Sequence, residues 1–302
     1  MGGGSWTTSA FVDYSKKKGL ETTYSVAADG SVYASLSNSY SVQDLYKSKH
    51  LDPILNPKGV MRECRDSEEN PNTVPVILAL DVTGSMGSAT AEVAKQLNGI
   101  MTELYKKVTD VQFMIMGIGD IAYDIAPIQI SQFESDIRII EQLDKVWFEA
   151  GGGGNSYESY TASWYMGTHH CDLDCWKRGK KGIIITLGDE PLNPYLNKRE
   201  LTEFIGDDKL QDHISTKELY EEASQKFDIY HICVDDNATA YRYYEGRIKE
   251  SWGEFLDEDH LKVATLQQLP QTVTDIIVGS VENQSETIGF GTPTTGMTEI
   301  SW

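Results

Sequence analysis

From residue 74 to about residue 281, short apolar runs alternate with stretches of helical periodicity. Val74–Asp81 is almost wholly apolar until its last residue, the pattern of a parallel strand buried on both faces. Residues 88–108 place Val93, Leu97, Ile100, Met101 and Leu104 on one helical face. Residues 111–119 read as a second buried strand, 127–130 as a short strand and 133–143 as a helix. A glycine run at 151–154 then opens a helix that starts near Asn155 and reaches toward His169. Residues 182–187 are a third buried strand, 217–225 a helix and 228–234 a fourth strand. A helix over 241–255, a short strand over Leu261–Ala264 and a helix over 266–281 complete the pattern. This alternation predicts an α/β fold, a doubly wound and mostly parallel sheet flanked by helices.

The flanking segments differ. Residues 1–40 are rich in Gly, Ser, Thr and Tyr with little helical periodicity, and residues 25–33 suit a hairpin around Asp29-Gly30. A short amphipathic helix is expected over 42–50, and residues 62–71 form a charged lead-in. The expected organisation is an irregular N-terminal extension over 1–73, an α/β domain over 74–281 and a loosely held tail over 282–302.

The end of the first strand carries the candidate chemistry. Asp81, Thr83 and Ser85 alternate, so a locally extended turn points all three to one side, with Gly84 and Gly87 between and after them. Open α/β sheets place ligands at the carboxyl ends of their strands. Hard oxygen donors of this kind suit Mg²⁺, or Mn²⁺ in its place. The competing reading of Thr83-Gly84-Ser85 is a capped helix start.

Asp81-x-Thr83-x-Ser85 resembles the metal-ion-dependent adhesion site (MIDAS) of von Willebrand factor A (VWA) domains, Asp-x-Ser-x-Ser with Thr at the second position. The resemblance covers roughly residues 74–281. Other strings are similar to a group of such proteins in bacteria and their phages. They are the Met-Gly-Gly-Gly start, Arg62-Glu63-x-Arg65-Asp66-Ser67, residues 151–160, Asp174-Cys175-Trp176 followed by Arg178-Gly179, and Gly188-Asp189-Glu190-Pro191. The resemblance implies two further loops at the ion. Asp189, after the third buried strand, matches the later acid. The glycine loop falls where the family has a Thr, and here either Asn155 or Ser156 supplies the oxygen; Asn155 is preferred because its amide oxygen is a hard ligand. By this resemblance Thr83 and Ser85 coordinate directly, while Asp81 and Asp189 act through water. An ion with few direct anionic ligands then captures an exposed Asp or Glu of a protein partner. The helix start near Ser88 adds partial positive charge for that carboxylate. By analogy with prokaryotic relatives, a MoxR-type AAA+ ATPase is one candidate partner.

Composition narrows the function further. The net charge of −20 opposes phosphate backbones and anionic lipids, so neither nucleic acid nor membrane is expected as a partner. No apolar stretch reaches the roughly 18 residues of a membrane-spanning helix. The start lacks the features of a secretory signal, so a cytoplasmic location is expected, in the host cell if a phage encodes the chain. Four cysteines are too few for a disulfide framework at 302 residues, and reduced thiols are expected.

Rival motifs are weaker. Neither glycine loop has the lysine of a phosphate-binding loop. Gly117-Ile118-Gly119 matches part of a dinucleotide fingerprint, but no convincing helix follows. His169, His170, Cys171 and Cys175 suggest zinc or, equally, a helix end with partly buried thiols. Tyr157, Tyr160, Trp164 and Tyr165 read as core aromatics, His231 as a hydrogen-bonded core histidine, and Asp120 as either a turn residue or a neighbour of the ion. Two alternative functions stand beside the binding module. One is a metal-dependent hydrolase using Asp120, Glu158 or Glu190 as base. The other is a structural or assembly role in a phage particle, with the N-terminal arm reaching a neighbouring subunit.

Overall fold

The computed structural model describes residues 6–26, 30–149, 151, 154–210 and 212–286. The chain begins with α1 (Thr8–Lys17), the hairpin strands β1 (Thr22–Val26) and β2 (Val32–Leu36), α2 (Val42–Leu45) and β3 (Arg62–Cys64). Next comes β4 (Val74–Asp81), which passes through a single 3-10 turn, Gly84–Met86, into α3 (Gly87–Lys107). Then follow β5 (Val111–Ile118), β6 (Ile128–Ile130), α4 (Arg138–Leu143), α5 (Thr161–His169), β7 (Cys171–Leu173) and α6 (Asp174–Lys177). The last part holds β8 (Gly182–Gly188), β9 (Tyr195–Leu196), α7 (Lys198–Ile205), β10 (Ile214–Ser215), α8 (Thr216–Lys226) and β11 (Phe227–Val234). It closes with α9 (Tyr241–Gly253), β12 (Leu261–Ala264) and α10 (Leu269–Glu286).

The central sheet has six strands in the order β12-β11-β8-β4-β5-β6. All neighbours are parallel except β6, which runs antiparallel to β5 at one edge. This is the doubly wound α/β architecture expected from the alternation. Successive residues of β4 face opposite sides, as strand geometry requires. Val76, Leu78 and Leu80 join the core under α3 and α10, and Ile77 and Ala79 join the core under α5 and α8. From β4 the chain moves to β5 on one side, and it later returns to β8 on the other. The carboxyl ends of β4 and β8 therefore flank a topological switch point, the place where open α/β sheets form their ligand crevice.

The N-terminal segment differs from its expected irregularity. Residues 8–17 form a helix whose N-cap Thr7 accepts from the Ala10 N–H, yet it fully buries only Phe11 and Ser15. A stripe that narrow leaves no readable period. Trp6, Phe11, Leu36, Leu45, Tyr46 and Leu55 are all buried in the same core as α3. The Trp6 indole N–H donates to Asn98 Oδ1 at 2.9 Å, and Asn98 Nδ2 donates to the Ala34 carbonyl at 2.8 Å. The hairpin pairs Val26 with Val32 out to Thr22 with Leu36, while Asp29 lies outside the described residues.

Several boundaries also shift. The helix expected over 42–50 is the single turn of α2. Part of the lead-in becomes β3, which pairs in parallel with β7. The helix expected from 133 starts at Arg138, because Glu134 bridges back to Phe113. The helix expected after the glycine run starts only at Thr161, since Glu158 first bridges to Leu192. The last helix continues to Glu286, past the expected start of the tail; residues 287–302 lie outside the described residues. Among the described residues no helix is long and apolar enough to cross a membrane.

Candidate functional site

Asp81 ends β4 and is fully buried. Its Oδ1 accepts from the Thr83 backbone N–H at 2.9 Å and from Thr83 Oγ1 at 2.5 Å. Its Oδ2 accepts from the Tyr160 hydroxyl at 2.7 Å. Thr83, itself buried, stands in extended geometry just before the 3-10 turn that carries Ser85. The alternation expected of Asp81, Thr83 and Ser85 is thus converted into a strand end, a hydroxyl folded back on the acid and a half-buried serine. The Thr90 hydroxyl donates to the Asp81 carbonyl at 3.2 Å, which ties the first turns of α3 to the strand end.

Asp189 follows β8 on the other side of the crevice. Its Oδ2 accepts from the Ala240 N–H, at the N-cap of α9, at 2.6 Å, and its carboxyl also interacts with the Ser85 side chain. The contact between Ser85 and Asp189 joins the two strand ends that the topology brings together. The glycine loop closes a third side, with the Gly84 N–H donating to the Gly151 carbonyl at 3.1 Å. Asn155 on that loop interacts through its side chain with Asp120, the residue two beyond β5, and its Oδ1 is buried without a partner. Ser156 is held in the left-handed region at φ 62°, and its carbonyl accepts from Arg247 at 3.3 Å. The turn after β5 runs from Asp120 to Tyr123 without opening a helix, which removes the context that a dinucleotide fingerprint needs.

The electrostatics of this crevice run one way. Burial pushes the Asp81 carboxyl up to about 8, the Asp189 charge adds to the shift, and the Thr83 and Tyr160 hydrogen bonds oppose it. Burial also raises Asp189 and Asp120, and it brings Glu190 up to about 7 and Asp124 up to about 6. Glu158 lies far above its ordinary range, first by burial and then through the charges of Asp81, Glu190, Asp120 and Asp124. Arg247 offsets part of this at Glu190. Four oxygens here are buried with no hydrogen-bond partner: Asp189 Oδ1, Asn155 Oδ1, Asp120 Oδ2 and Glu158 Oε2. Bare, hard, negatively polarised oxygens in a desolvated crevice fit a small divalent cation. Among the described residues no three His, Cys, Asp or Glu side chains converge as a metal-binding group. A site here must therefore draw on hydroxyl, amide and water oxygens as well.

The residues of the zinc alternative point apart. His169 bonds Glu222 and stacks on Tyr165, while His170 sits between the Val60 carbonyl and Asp208. Cys171 and Cys175 are buried free thiols. His231 bonds Thr186 Oγ1 at 2.8 Å through Nδ1, and stacks on Trp252 with ring centroids 3.8 Å apart. Its Nε2 has no partner, and burial pushes it down to about 3.

No protein-family model and no curated protein matches the chain. Among solved structures it is similar to the pilus adhesin SpaC from Lactobacillus rhamnosus GG in its open conformation. That match has 12% identity and a TM-score of 0.48, and covers 88% of this chain and 34% of the adhesin. The chain thus spans about a third of the adhesin's length. It is similar to the conserved hypothetical protein BatB from Bacteroides thetaiotaomicron at 12% identity and a TM-score of 0.40, covering 70% of this chain and 99% of that one. It is also similar to the vWF domain of the type V pili tip protein Mfa5 from Porphyromonas gingivalis. There the identity is 14% and the TM-score 0.36, covering 75% of this chain and 98% of that domain.

Two site residues escaped the sequence reading. Tyr160 does pack in the core, as expected, but its hydroxyl reaches the carboxylate of Asp81. Ala240 contributes only a backbone N–H to Asp189. No side-chain signal marks such a donor; only the position of a helix start opposite a strand end could have suggested it.

Proposed function

We propose that this chain is a protein-binding module that works through a divalent cation, Mg²⁺ or Mn²⁺, at the carboxyl ends of β4 and β8. Thr83 Oγ1, Ser85 Oγ and Asn155 Oδ1 would hold the ion directly, with Asp81 and Asp189 acting through water. The observation that carries this reading is that Asp189 Oδ1 and Asn155 Oδ1, on the two segments that touch the turn after the Asp81–Thr83 pair, are buried without partners. The resemblance of Asp81-x-Thr83-x-Ser85 to an adhesion-type site supports the same conclusion. Mg²⁺ takes few protein ligands and keeps several waters, so a bound ion would offer a replaceable position to an incoming carboxylate.

A protein partner is favoured by the surface around the crevice. Tyr123 and Ile125 after β5, Tyr195 in β9 and Tyr243 in the first turn of α9 are 45–83% exposed, and all lie on connections that leave the carboxyl edge of the sheet. Three exposed tyrosines with an exposed isoleucine around a polar centre suit a protein contact surface.

The test is calorimetric titration of Mg²⁺ and Mn²⁺ into wild type, Asp81→Ala and Asp189→Ala, followed by affinity capture with and without EDTA. Loss of the one cation equivalent held beside Asp81 in both variants, with capture abolished by EDTA, is expected. Equal binding by all three proteins would remove the ion from this site. Turnover of phosphoesters or peptides with Mn²⁺ that Asp81→Ala abolishes would replace the binding module with a hydrolase.

A further inference from the structure

We propose a second divalent-cation site in the same crevice, built on Asp120 and Glu158 and filled independently of the ion beside Asp81. Asp120 follows β5, and Glu158 follows the glycine loop, where it bridges in parallel to Leu192. The two backbones are fastened together by the Ile121 N–H, which donates to Ser159 Oγ at 3.0 Å. Asp120 is 1% exposed and Glu158 2%. One Asp120 oxygen accepts from the Ala122 N–H at 2.9 Å, and the other is bare. Glu158 Oε2 is bare as well.

A buried carboxylate keeps a bare oxygen only if a proton or a cation takes it up. Two such oxygens, on segments fastened to each other at Ile121 and Ser159, favour the cation. The negative charges of Asp81, Glu190, Asp120 and Asp124 raise the proton affinity of Glu158 in the metal-free chain, and one ion at Thr83 and Ser85 compensates only part of them. A proton on Glu158 removes one charge; a divalent ion compensates two. Two carboxylate oxygens completed by water are the usual protein share of a Mg²⁺ or Mn²⁺ shell. Asn155 lies between the sites, with its side chain on Asp120 and its Oδ1 free for the first ion.

Counting Mn²⁺ on the full chain tests this, with calorimetry and the electron paramagnetic resonance signal of free Mn²⁺ as two readouts. Wild type should bind two equivalents, Glu158→Gln one and Asp81→Ala one. Asp120→Asn should match Glu158→Gln and serves as the variant should Glu158→Gln not fold. Two equivalents retained in both Glu158→Gln and Asp120→Asn would overturn the proposal. So would one equivalent in wild type that Asp81→Ala abolishes and Glu158→Gln keeps, which would mean that the acid pair holds a proton. One equivalent kept in Asp81→Ala but lost in Glu158→Gln supports the second site and defeats the first.

Discussion

Replacing Tyr160 with Phe removes one oxygen from the candidate site and little else. The ring packs 5.2 Å from the His231 ring and 5.5 Å from the Trp252 ring, centroid to centroid, and a Phe ring retains both contacts. What goes is the hydroxyl that donates to Asp81 Oδ2 at 2.7 Å in a fully buried setting. A hydrogen bond to a charged group contributes about 1.5–3 kcal/mol, against about 0.5–1.5 kcal/mol for a neutral pair. Asp81 titrates near 8, so without metal the loss should grow as pH rises through that value and the acid ionises. With metal, Asp81 must be ionised throughout. Changing a group that holds a water-bridging carboxylate lowers metal affinity by roughly 10-fold to 100-fold. Urea unfolding of wild type and Tyr160→Phe in EDTA at pH 6 and pH 9, with Mn²⁺ titration at pH 7.5, measures each quantity. A destabilisation equal at both pH values, together with Mn²⁺ affinity within threefold of wild type, would refute the reasoning.

Metal-free stability should fall between pH 6.5 and 8.5, and saturating Mn²⁺ should flatten the slope. The folded values of Asp81 (about 8) and Glu190 (about 7) lie above those of an unfolded chain, so the stability they contribute is full below about pH 4 and is lost as pH rises through the folded values. His231, pushed down to about 3, acts in the opposite sense, but its contribution is complete above its unfolded value of about 6.5. Melting temperatures in EDTA that rise across the window would contradict this. Gly188→Ala would drive a Cβ into the Tyr160 hydroxyl and ring. Overpacking of this kind costs about 1–3 kcal/mol, and here it should also weaken Mn²⁺ binding, because Tyr160 is displaced from Asp81. Equal stability and affinity would show that the strand end yields freely. A chain starting at residue 62 should lose cooperative unfolding rather than change its assembly. It forfeits the burial of Phe11, Leu36, Leu45, Tyr46 and Leu55, at about 1.5–3 kcal/mol for each large apolar side chain, against a whole-domain stability of about 5–15 kcal/mol. A sharp melting transition in the shortened protein would disprove the point.

The central sheet was legible because β4, β5, β8 and β11 are buried on both faces and so read as unbroken apolar runs. Asp81 and Asp189 stood out because a charge ending such a run has no structural reason to be there. The helix α7, over Lys198–Ile205, was missed although Asn197 caps it, because only Leu201 and Ile205 are buried and the stripe spans a single turn. Tyr160 was legible as a core aromatic and not as a donor, since spacing places a ring and says nothing about where its hydroxyl ends. Asp120 could not be decided between turn and site, because its neighbours Asn155 and Glu158 lie more than thirty residues away in sequence. The bare oxygens of these groups are a property of the folded crevice alone.

The N-terminal segment changes meaning once its packing is known. Read as an arm, it suggested a contact with a neighbouring subunit. Folded, it buries Trp6, Phe11, Leu36, Leu45, Tyr46 and Leu55 in its own chain, and some of its polar contacts lead toward the candidate site. The Tyr46 hydroxyl donates to the Thr90 carbonyl at 3.1 Å, and Thr90 Oγ1 lies 3.2 Å from the Asp81 carbonyl and 3.1 Å from that of Met86. Trp6 holds Asn98 two turns further along α3. The segment thus clamps the helix whose entry turn carries Ser85, and it fixes that turn against the end of β4. A site that depends on hydroxyl oxygens held to within a fraction of an ångström needs such backing, because neither Thr83 nor Ser85 carries a charge of its own to organise the shell. On the proposed function, the extension serves the binding site as its rigid support.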